Sequence, residues 1–193
     1  LLVVTQPDRA AGRGRKLTPP PVKTAALGLG LELEQPESVN TDEFVERLRA
    51  LAPDLFVVVA FGQILRQRLL DIPPHGSINV HGSLLPDYRG VAPINWAIVG
   101  GETETGVTTM YMARTVDTGA IIQRRSTPIG PEETAGELYE RLSELGGELI
   151  TETADLIARG EAPREEQGAP RVGYARKLTR ADGTIDWTLP AHG

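Results

Sequence analysis

Apolar residues along the chain follow two spacings, which predict where strands and helices lie. Residues 1–5 and 55–60 form short apolar runs typical of strands, and residues 77–81 are a further strand candidate. The run at 55–60 is continuous and rich in Val. A continuous run of this kind predicts a central strand of a parallel sheet, covered on both faces. Residues 106–112, 120–123 and 127–129 continue the strand pattern.

Between these runs, apolar residues recur at intervals of three and four. This spacing predicts helices over residues 22–29, 41–51, 64–70 and 94–99. Thr134 and Glu137 have the spacing of a capping box, which predicts the start of a long helix that runs to Gly160. Prolines, glycines and basic residues leave no usable period over residues 6–21, which are predicted to form a loop.

Alternating strands and helices predict an α/β fold with a mostly parallel twisted sheet flanked by helices. In such sheets, ligands bind beyond the carboxyl ends of the strands. We expect one main domain over residues 1–160, followed by a connector and tail over residues 161–193. The chain opens on an apolar run with no initiator Met, so we also expect a fragment of a longer protein.

Composition excludes several classes of protein. Of 193 residues, 40% are hydrophobic and 24% are charged, which is ordinary for a globular domain. The apolar run at 55–61 is far shorter than the ~20 residues that a membrane helix needs. The chain has no Cys and three His, which excludes disulfides and argues against a metal site built from several histidines.

Charge is unevenly distributed along the chain. Residues 1–24 carry a net charge of +4, which leaves −10 on the other 169 residues of a chain whose net charge is −6. A basic segment on an acidic protein predicts a local anionic partner.

Asn79 and His81 lie at the carboxyl end of the strand predicted over residues 77–81 and share one of its faces, because residues two apart in a strand point the same way. An amide and an imidazole at a strand end can stabilise an oxyanion and move a proton. The alternative is a buried polar pair that only holds a loop.

Asp117 lies in a second polar loop, residues 115–119, which follows another predicted strand. Such an aspartate can orient His81 or accept a proton from a nucleophile. It can equally be a turn residue that bonds to its own backbone.

Residues 12–16 read Gly-Arg-Gly-Arg-Lys and match no Walker or dinucleotide-binding motif. Arginine suits bidentate contact with phosphate, so Arg13, Arg15 and Lys16 are candidates for a phosphate-binding loop. A solvated loop is the alternative.

Four blocks of the sequence resemble the folate-dependent formyltransferase family. They are residues 79–86 (Asn-Val-His-Gly-Ser-Leu-Leu-Pro), 88–93 (Tyr-Arg-Gly-Val-Ala-Pro), 104–108 (Glu-Thr-Gly-Val-Thr) and 117–119 (Asp-Thr-Gly). Residues 5–9, 12–17, 21–23, 174–178 and 185–187 resemble, in particular, the branch of the family that formylates methionyl-tRNA.

The resemblance implies a Rossmann-like domain, lacking the family's first strand–helix unit, that transfers a formyl group from 10-formyltetrahydrofolate to the α-amine of initiator methionyl-tRNA. It implies catalytic roles for Asn79, His81 and Asp117. The basic loop is implied to contact tRNA through Arg13, Arg15 and Lys16. The residues implied to contact the folate are Ser83, Leu84, Leu85, Pro86, Phe61, Gly62 and Ile64.

Other partners and acceptors follow from the same motifs. The tail would lead towards a C-terminal domain that helps to bind tRNA. We expect no metal, no membrane partner, a monomer, and a location in the bacterial cytoplasm or an organellar matrix. A sugar-nucleotide amine is the alternative acceptor, because relatives that formylate such amines share the central motifs. Glycinamide ribonucleotide, formyl-folate hydrolysis and a silent folate- or RNA-binding domain also remain open.

Overall fold

The computed structural model describes residues 1–12, 14–185 and 187–188. Their contacts divide the chain into two compact units. Unit 1 comprises Leu1–Asn79 with Tyr111–Arg114, and unit 2 comprises Val80–Met110 with the described part of Thr115–Gly193.

Unit 1 alternates short strands and helices, as the sequence predicts. Its elements are β1 (Leu2–Val4), β2 (Arg9–Ala11), β3 (Lys16–Thr18), α1 (Pro21–Gly28), β4 (Glu32–Glu34), α2 (Asp42–Ala50), β5 (Phe56–Val58), α3 (Gln67–Leu70) and the first part of β6 (Ser77–His81). Strand β1 pairs in parallel with β4, and β5 pairs in parallel with β6. Both parallel pairs are joined through helices, because a tight turn cannot return the chain in the same direction.

Helix α2 supplies most of the core of unit 1. Thr41 caps its first turn by accepting a hydrogen bond from the Phe44 amide at 3.2 Å. A cap of this kind satisfies a donor that has no partner inside the helix. Its apolar face then buries Phe44, Val45 and Leu48 in a cluster with Val39 and Leu69.

The loop prediction over residues 6–21 was wrong in part. Strands β2 and β3 pair as an antiparallel hairpin, with Ala11 opposite Lys16. Gly12, Gly14 and Arg15 all have positive φ, and the two glycines adopt that conformation without a steric cost. The hairpin has no buried face on β3, so no alternation of apolar residues signals it in the sequence.

Residues 55–60 were predicted to form a strand covered on both faces. A strand does form there, but it is not covered on both faces. Strand β5 lies at the edge of its sheet. Val57 and Val59 are 51% and 55% exposed, so the run is not covered on both faces. The helix predicted over residues 64–70 is also shorter, because α3 begins only at Gln67.

Unit 2 begins with the last two residues of β6 and is organised around an antiparallel strand pair. Its further elements are α4 (Pro93–Val99), β7 (Glu104–Tyr111, of which Tyr111 belongs to unit 1), β8 (Ile121–Pro128), α5 (Ala135–Ala158) and a 3-10 turn (Arg180–Gly183). Strand β8 is continuous where the sequence predicts two short runs. It runs antiparallel to β7, because a loop without a helix connects the two.

Helix α5 packs the core of unit 2. Thr134 and Glu137 form both bonds of the predicted capping box: the Glu137 amide donates to the Thr134 hydroxyl, and the Glu137 carboxylate accepts from the Thr134 amide. The helix then buries Leu138, Leu142 and Leu149 against Val107. Among the described helices, none is long and apolar enough to cross a bilayer.

Candidate active site

His81 ends strand β6 and is buried in unit 2. Its Nε2 lies 2.9 Å from the carbonyl oxygen of Tyr88, which can only accept, so Nε2 carries the proton and donates it. Its Nδ1 faces Oδ2 of Asp117 at 3.6 Å. The nitrogen directed towards a second titratable group is therefore Nδ1.

Asp117 lies in the loop between β7 and β8 with its backbone in the left-handed region, at φ 55°. Its side chain is 11% exposed, and Oδ2 accepts a hydrogen bond from the Gly90 amide at 2.9 Å. The structure thus brings the predicted residues His81 and Asp117 together and adds a backbone donor that the sequence did not indicate.

Gly90 can occupy its position only as glycine. Its φ is +121°, and a Cβ there would lie 2.7 Å from both the Ala175 carbonyl oxygen and the Tyr174 ring. This close approach lets the chain after Arg89 pair with the tail: the Ala175 amide donates to the Arg89 carbonyl at 2.6 Å. The segment around Ala175 is therefore part of the site's support.

Two hydroxyl groups hold the predicted folate-contacting loop, residues 83–86, through hydrogen bonds to its backbone and to that of Asp87. The Ser83 hydroxyl donates to the Asp87 carbonyl at 2.6 Å. Thr108 donates to the Ser83 carbonyl at 2.7 Å and accepts from the Leu85 amide at 3.1 Å. Ser83 and Leu85 are buried, which leaves Leu84 and Pro86 as the half-buried residues of the loop. The Leu85–Pro86 bond is cis.

Tyr88, whose carbonyl accepts from His81, is itself fixed through its hydroxyl. That hydroxyl donates to Glu102 at 2.7 Å, and Arg171 donates to the same carboxylate oxygen at 2.9 Å. Burial, followed by the hydrogen bond to Glu102, raises the pKa of Tyr88 to about 12. The hydrogen bonds from Tyr88 and then Arg171 lower the pKa of Glu102 below its usual value of 4.5.

The remaining predicted site residues lie in unit 1. Asn79 is half-buried on β6, two residues before His81. Phe61 packs on the apolar cluster of unit 1, whereas Gly62 is exposed and Ile64 is 75% exposed. The predicted folate pocket combines residues of both units and stays a prediction.

Two of the three predicted tRNA contacts lie on the β2–β3 hairpin. Arg15 and Lys16 are both exposed there. Arg13 lies outside the described residues.

A cavity of about 420 Å³ opens beside the Asp117 loop. Its lining includes Arg89, Thr115 and Thr118 together with the apolar Pro86 and Val116. Small-molecule sites have this size and this mixture of apolar wall and few polar groups. Across residues 1–12, 14–185 and 187–188, no three His, Cys, Asp or Glu side chains come together as a metal site.

Sequence reasoning missed Gly90, Tyr88 and Gln167. Gln167 lies in the polar connector, and its side-chain amide donates to the Asp117 carbonyl at 3.1 Å. Nothing in the local sequence marks it, because its contacts are with residues far away along the chain. The Tyr-Arg-Gly block shortly before a helix that begins with Pro93 was visible in the sequence, but the backbone bond that Gly90 makes was not.

A sequence model described as "Formyl transferase" matches residues 1–154. The chain belongs to the formyl transferase family. It is 56% identical over 188 residues to a methionyl-tRNA formyltransferase of Geobacter sulfurreducens, covering 97% of this chain and 59% of that protein. It is 51% identical over 189 residues to the methionyl-tRNA formyltransferase of Moorella thermoacetica, covering 98% and 61%. The chain thus spans about 60% of the length of these curated relatives.

Solved structures of other family members share the fold. An N-formyltransferase from Helicobacter canadensis, solved with folinic acid and dTDP-3-aminofucose, has a TM-score of 0.68 at 21% identity and covers 97% of this chain and 64% of its own. Glycinamide ribonucleotide transformylase 1 from Symbiobacterium toebii has a TM-score of 0.67 at 24% identity and covers 75% and 73%. These likenesses confirm the predicted α/β formyltransferase fold.

Proposed function

We propose that the protein of which this chain is part transfers a formyl group from 10-formyltetrahydrofolate to the α-amine of methionyl-tRNA. One observation carries the proposal: relatives named methionyl-tRNA formyltransferase are more than half identical to nearly the whole of this chain. The pairing of His81 with Asp117 in a buried setting supports the chemistry, since it provides a proton donor next to a proton acceptor.

The reaction begins when the neutral amine attacks the formyl carbon and creates an oxyanion. An unperturbed α-amine has a pKa of about 7.7–8.0, so its neutral form is accessible near pH 7. Asn79 and His81 donate hydrogen bonds to the oxyanion. His81 does so through Nδ1, because Nε2 is bound to the Tyr88 carbonyl. Losing one such donor typically lowers the rate about 10²–10³-fold.

The proton balance uses His81 and Asp117 in turn. The amine proton passes to the Asp117 carboxylate, directly or through water. His81, protonated on both nitrogens, gives its Nδ1 proton to the folate nitrogen as the bond from that nitrogen to the formyl carbon breaks. Asp117 then returns a proton to Nδ1 across the 3.6 Å pair, so one proton has moved from the amine to the folate.

Substrate contacts follow the predicted loops. The folate contacts residues 83–86 and the segment with Phe61, Gly62 and Ile64. The tRNA phosphates contact the basic hairpin, where Arg15 and Lys16 are exposed. We further propose that residues 1–160 form the formyl-transferring domain, that residues 161–193 form the connector and tail, and that the protein acts as a cytoplasmic monomer.

The deciding experiment supplies 10-formyltetrahydrofolate and offers three acceptors in parallel: charged initiator tRNA, a nucleotide-linked amino sugar and glycinamide ribonucleotide. It uses the protein at the full length that its gene encodes. We expect transfer to the tRNA alone. Transfer only to a small amine would keep the His81–Asp117 chemistry and overturn the tRNA assignment. Release of formate without any acceptor would instead indicate hydrolysis.

A further inference from the structure

The polar connector after helix α5 is attached to the strand that follows the Asp117 loop. Glu165 and Ile121 form an antiparallel bridge, with the Ile121 amide donating at 2.8 Å and the Glu165 amide donating at 3.0 Å. Ile121 is buried at the start of β8, so the bridge lies directly beside the end of the loop. The connector thus reaches the site from outside both the loop that follows His81 and the loop that carries Asp117.

Two residues further on, Gln167 joins both loops through one side chain. Its amide nitrogen donates to the carbonyl oxygens of Asp117 at 3.1 Å and Gly119 at 2.8 Å. Its amide oxygen accepts from Nε and Nη2 of Arg89 at 2.9 and 2.6 Å. Arg89 directly precedes Gly90, whose amide donates to the Asp117 carboxylate. Gln167 therefore holds both Arg89, which precedes the Gly90 donor, and the backbone carbonyl of Asp117, whose carboxylate is the acceptor.

This contact requires a side-chain amide. An amide donates two hydrogen bonds and accepts others, whereas a carboxylate only accepts and cannot bond to two carbonyl oxygens. The bonds also support an uncommon backbone conformation, because Asp117 has φ 55°, in the left-handed region that few non-glycine residues adopt. Bonds to the Asp117 and Gly119 carbonyls fix two peptide planes on the C-terminal side of Asp117.

We propose that Gln167 is a positioning residue, which holds the Asp117 loop so that the Asp117 carboxylate stays on the Gly90 amide and opposite His81 Nδ1. The inference deepens the proposed function and rests on it where turnover is the readout. The geometry inferred for the free protein does not depend on the proposed function.

The test compares three variants of the full-length protein. Gln167→Ala removes these four bonds and a longer one, from the Gln167 amide nitrogen to the Met110 sulfur at 3.8 Å. Gln167→Glu keeps an acceptor for Arg89 and loses both donors to the loop. Glu166→Ala is the matched control, because the neighbouring Glu166 is exposed and takes no part in these bonds.

We expect both Gln167 variants to lower kcat by up to about 10²-fold, the effect of displacing a reacting group by about 1 Å. The KM values for folate and tRNA should change little, because Gln167 contacts the loop and not a substrate. Glu166→Ala should leave kcat and KM unchanged. Near-normal kcat in Gln167→Glu would overturn the proposal, since that variant lacks both donors to the loop.

Amide hydrogen exchange in the free protein gives a second readout that needs no activity. In Gln167→Ala, the Gly90 amide should exchange about tenfold faster or more, because its bond to a charged acceptor is loosened. Amides of β7 that pair with β8 should keep their wild-type exchange rates. Unchanged Gly90 exchange, or equal acceleration of the β7 amides, would overturn the positioning role. If the wild-type protein formylates none of the acceptors, the proposed function fails and the Gly90 comparison alone decides this inference.

Discussion

Asp117 accepts the Gly90 amide through Oδ2, at 2.9 Å. The same oxygen faces His81 Nδ1 at 3.6 Å. One carboxylate atom therefore serves a backbone donor that never loses its proton and a side chain that can gain or lose one. The backbone bond holds the carboxylate in place in either state of His81.

Asp117→Asn tests whether the charge on this side chain is needed. The variant keeps the shape and an oxygen that can accept from Gly90, but it loses the proton acceptor. We expect formyl transfer to slow by about 10²–10⁴-fold, as for loss of a general base, with the unfolding midpoint nearly unchanged. Single-turnover transfer measures the effect. Glu166→Gln removes an exposed charge from the same unit and serves as control, and near-normal turnover in Asp117→Asn would remove Asp117 from the mechanism.

Glu102→Gln tests the group that fixes Tyr88, by its dependence on pH. The pKa of Glu102 is lowered in the folded protein, so its contribution is present above its unfolded value of about 4.5 and is lost as pH falls through the lowered folded value. At pH 7, we expect Glu102→Gln to lower the free energy of unfolding, because the carboxylate charge strengthens the hydrogen bonds from Tyr88 and Arg171. The loss should be only about 1–2 kcal/mol, because the Glu102 side chain is partly exposed.

Urea unfolding between pH 7 and pH 3.5 measures the difference between wild type and Glu102→Gln. The difference should shrink steadily as the pH falls below about 4.5. Glu140→Gln makes the same charge change at an exposed position of α5 and should show no such trend. A difference that stays constant with pH would mean that the carboxylate charge does not stabilise this network.

Two neighbouring glycines in α5 provide a matched pair for packing. A Cβ at Gly147 would contact nothing within 4 Å, whereas a Cβ at Gly146 would lie 3.1 Å from Val80 Cγ1. Gly147→Ala should raise the free energy of unfolding by about 0.5–1 kcal/mol, because alanine loses less backbone entropy in a helix. Gly146→Ala should gain less, because Val80 must move. Equal gains by thermal or urea unfolding would show that Val80 yields without cost.

Arg15→Ala and Lys16→Ala test the basic hairpin. Each should weaken tRNA binding and reduce the slope of log affinity against log salt by about 0.7–0.9, the value for one phosphate contact. Folate binding should be unchanged. Arg49→Ala, an exposed cation on α2, is the control. An unchanged salt slope in both hairpin variants would indicate that the segment is only solvated.

The sequence predicted best those structural features whose cause lies within a few neighbouring residues. The capping box of α5 was predictable because Thr134 and Glu137 are three residues apart and satisfy each other. Strand β6 was predictable from its own apolar residues. The exposure of Val57 and Val59 was not, because it depends on whether other elements cover β5.

The candidate site divides in the same way. His81 and Asp117 were identifiable as residue types in polar loops after strands. Gln167 was not, because it lies in a connector whose composition indicates only solvation. Its partners are 48 to 78 residues earlier in the chain. The hairpin in residues 6–21 also escaped detection, since its strands bury too little surface to impose a pattern.

The bridge between Ala175 and the Arg89–Gly90 backbone has a consequence for how the protein is made. His81 and Asp117 leave the ribosome before the segment that braces their loops. At about 5–20 residues per second, the roughly sixty residues from Asp117 to Ala175 take on the order of 3–12 s to synthesise. A nascent chain that pauses in this interval already carries its reactive groups but not the geometry that would make them useful.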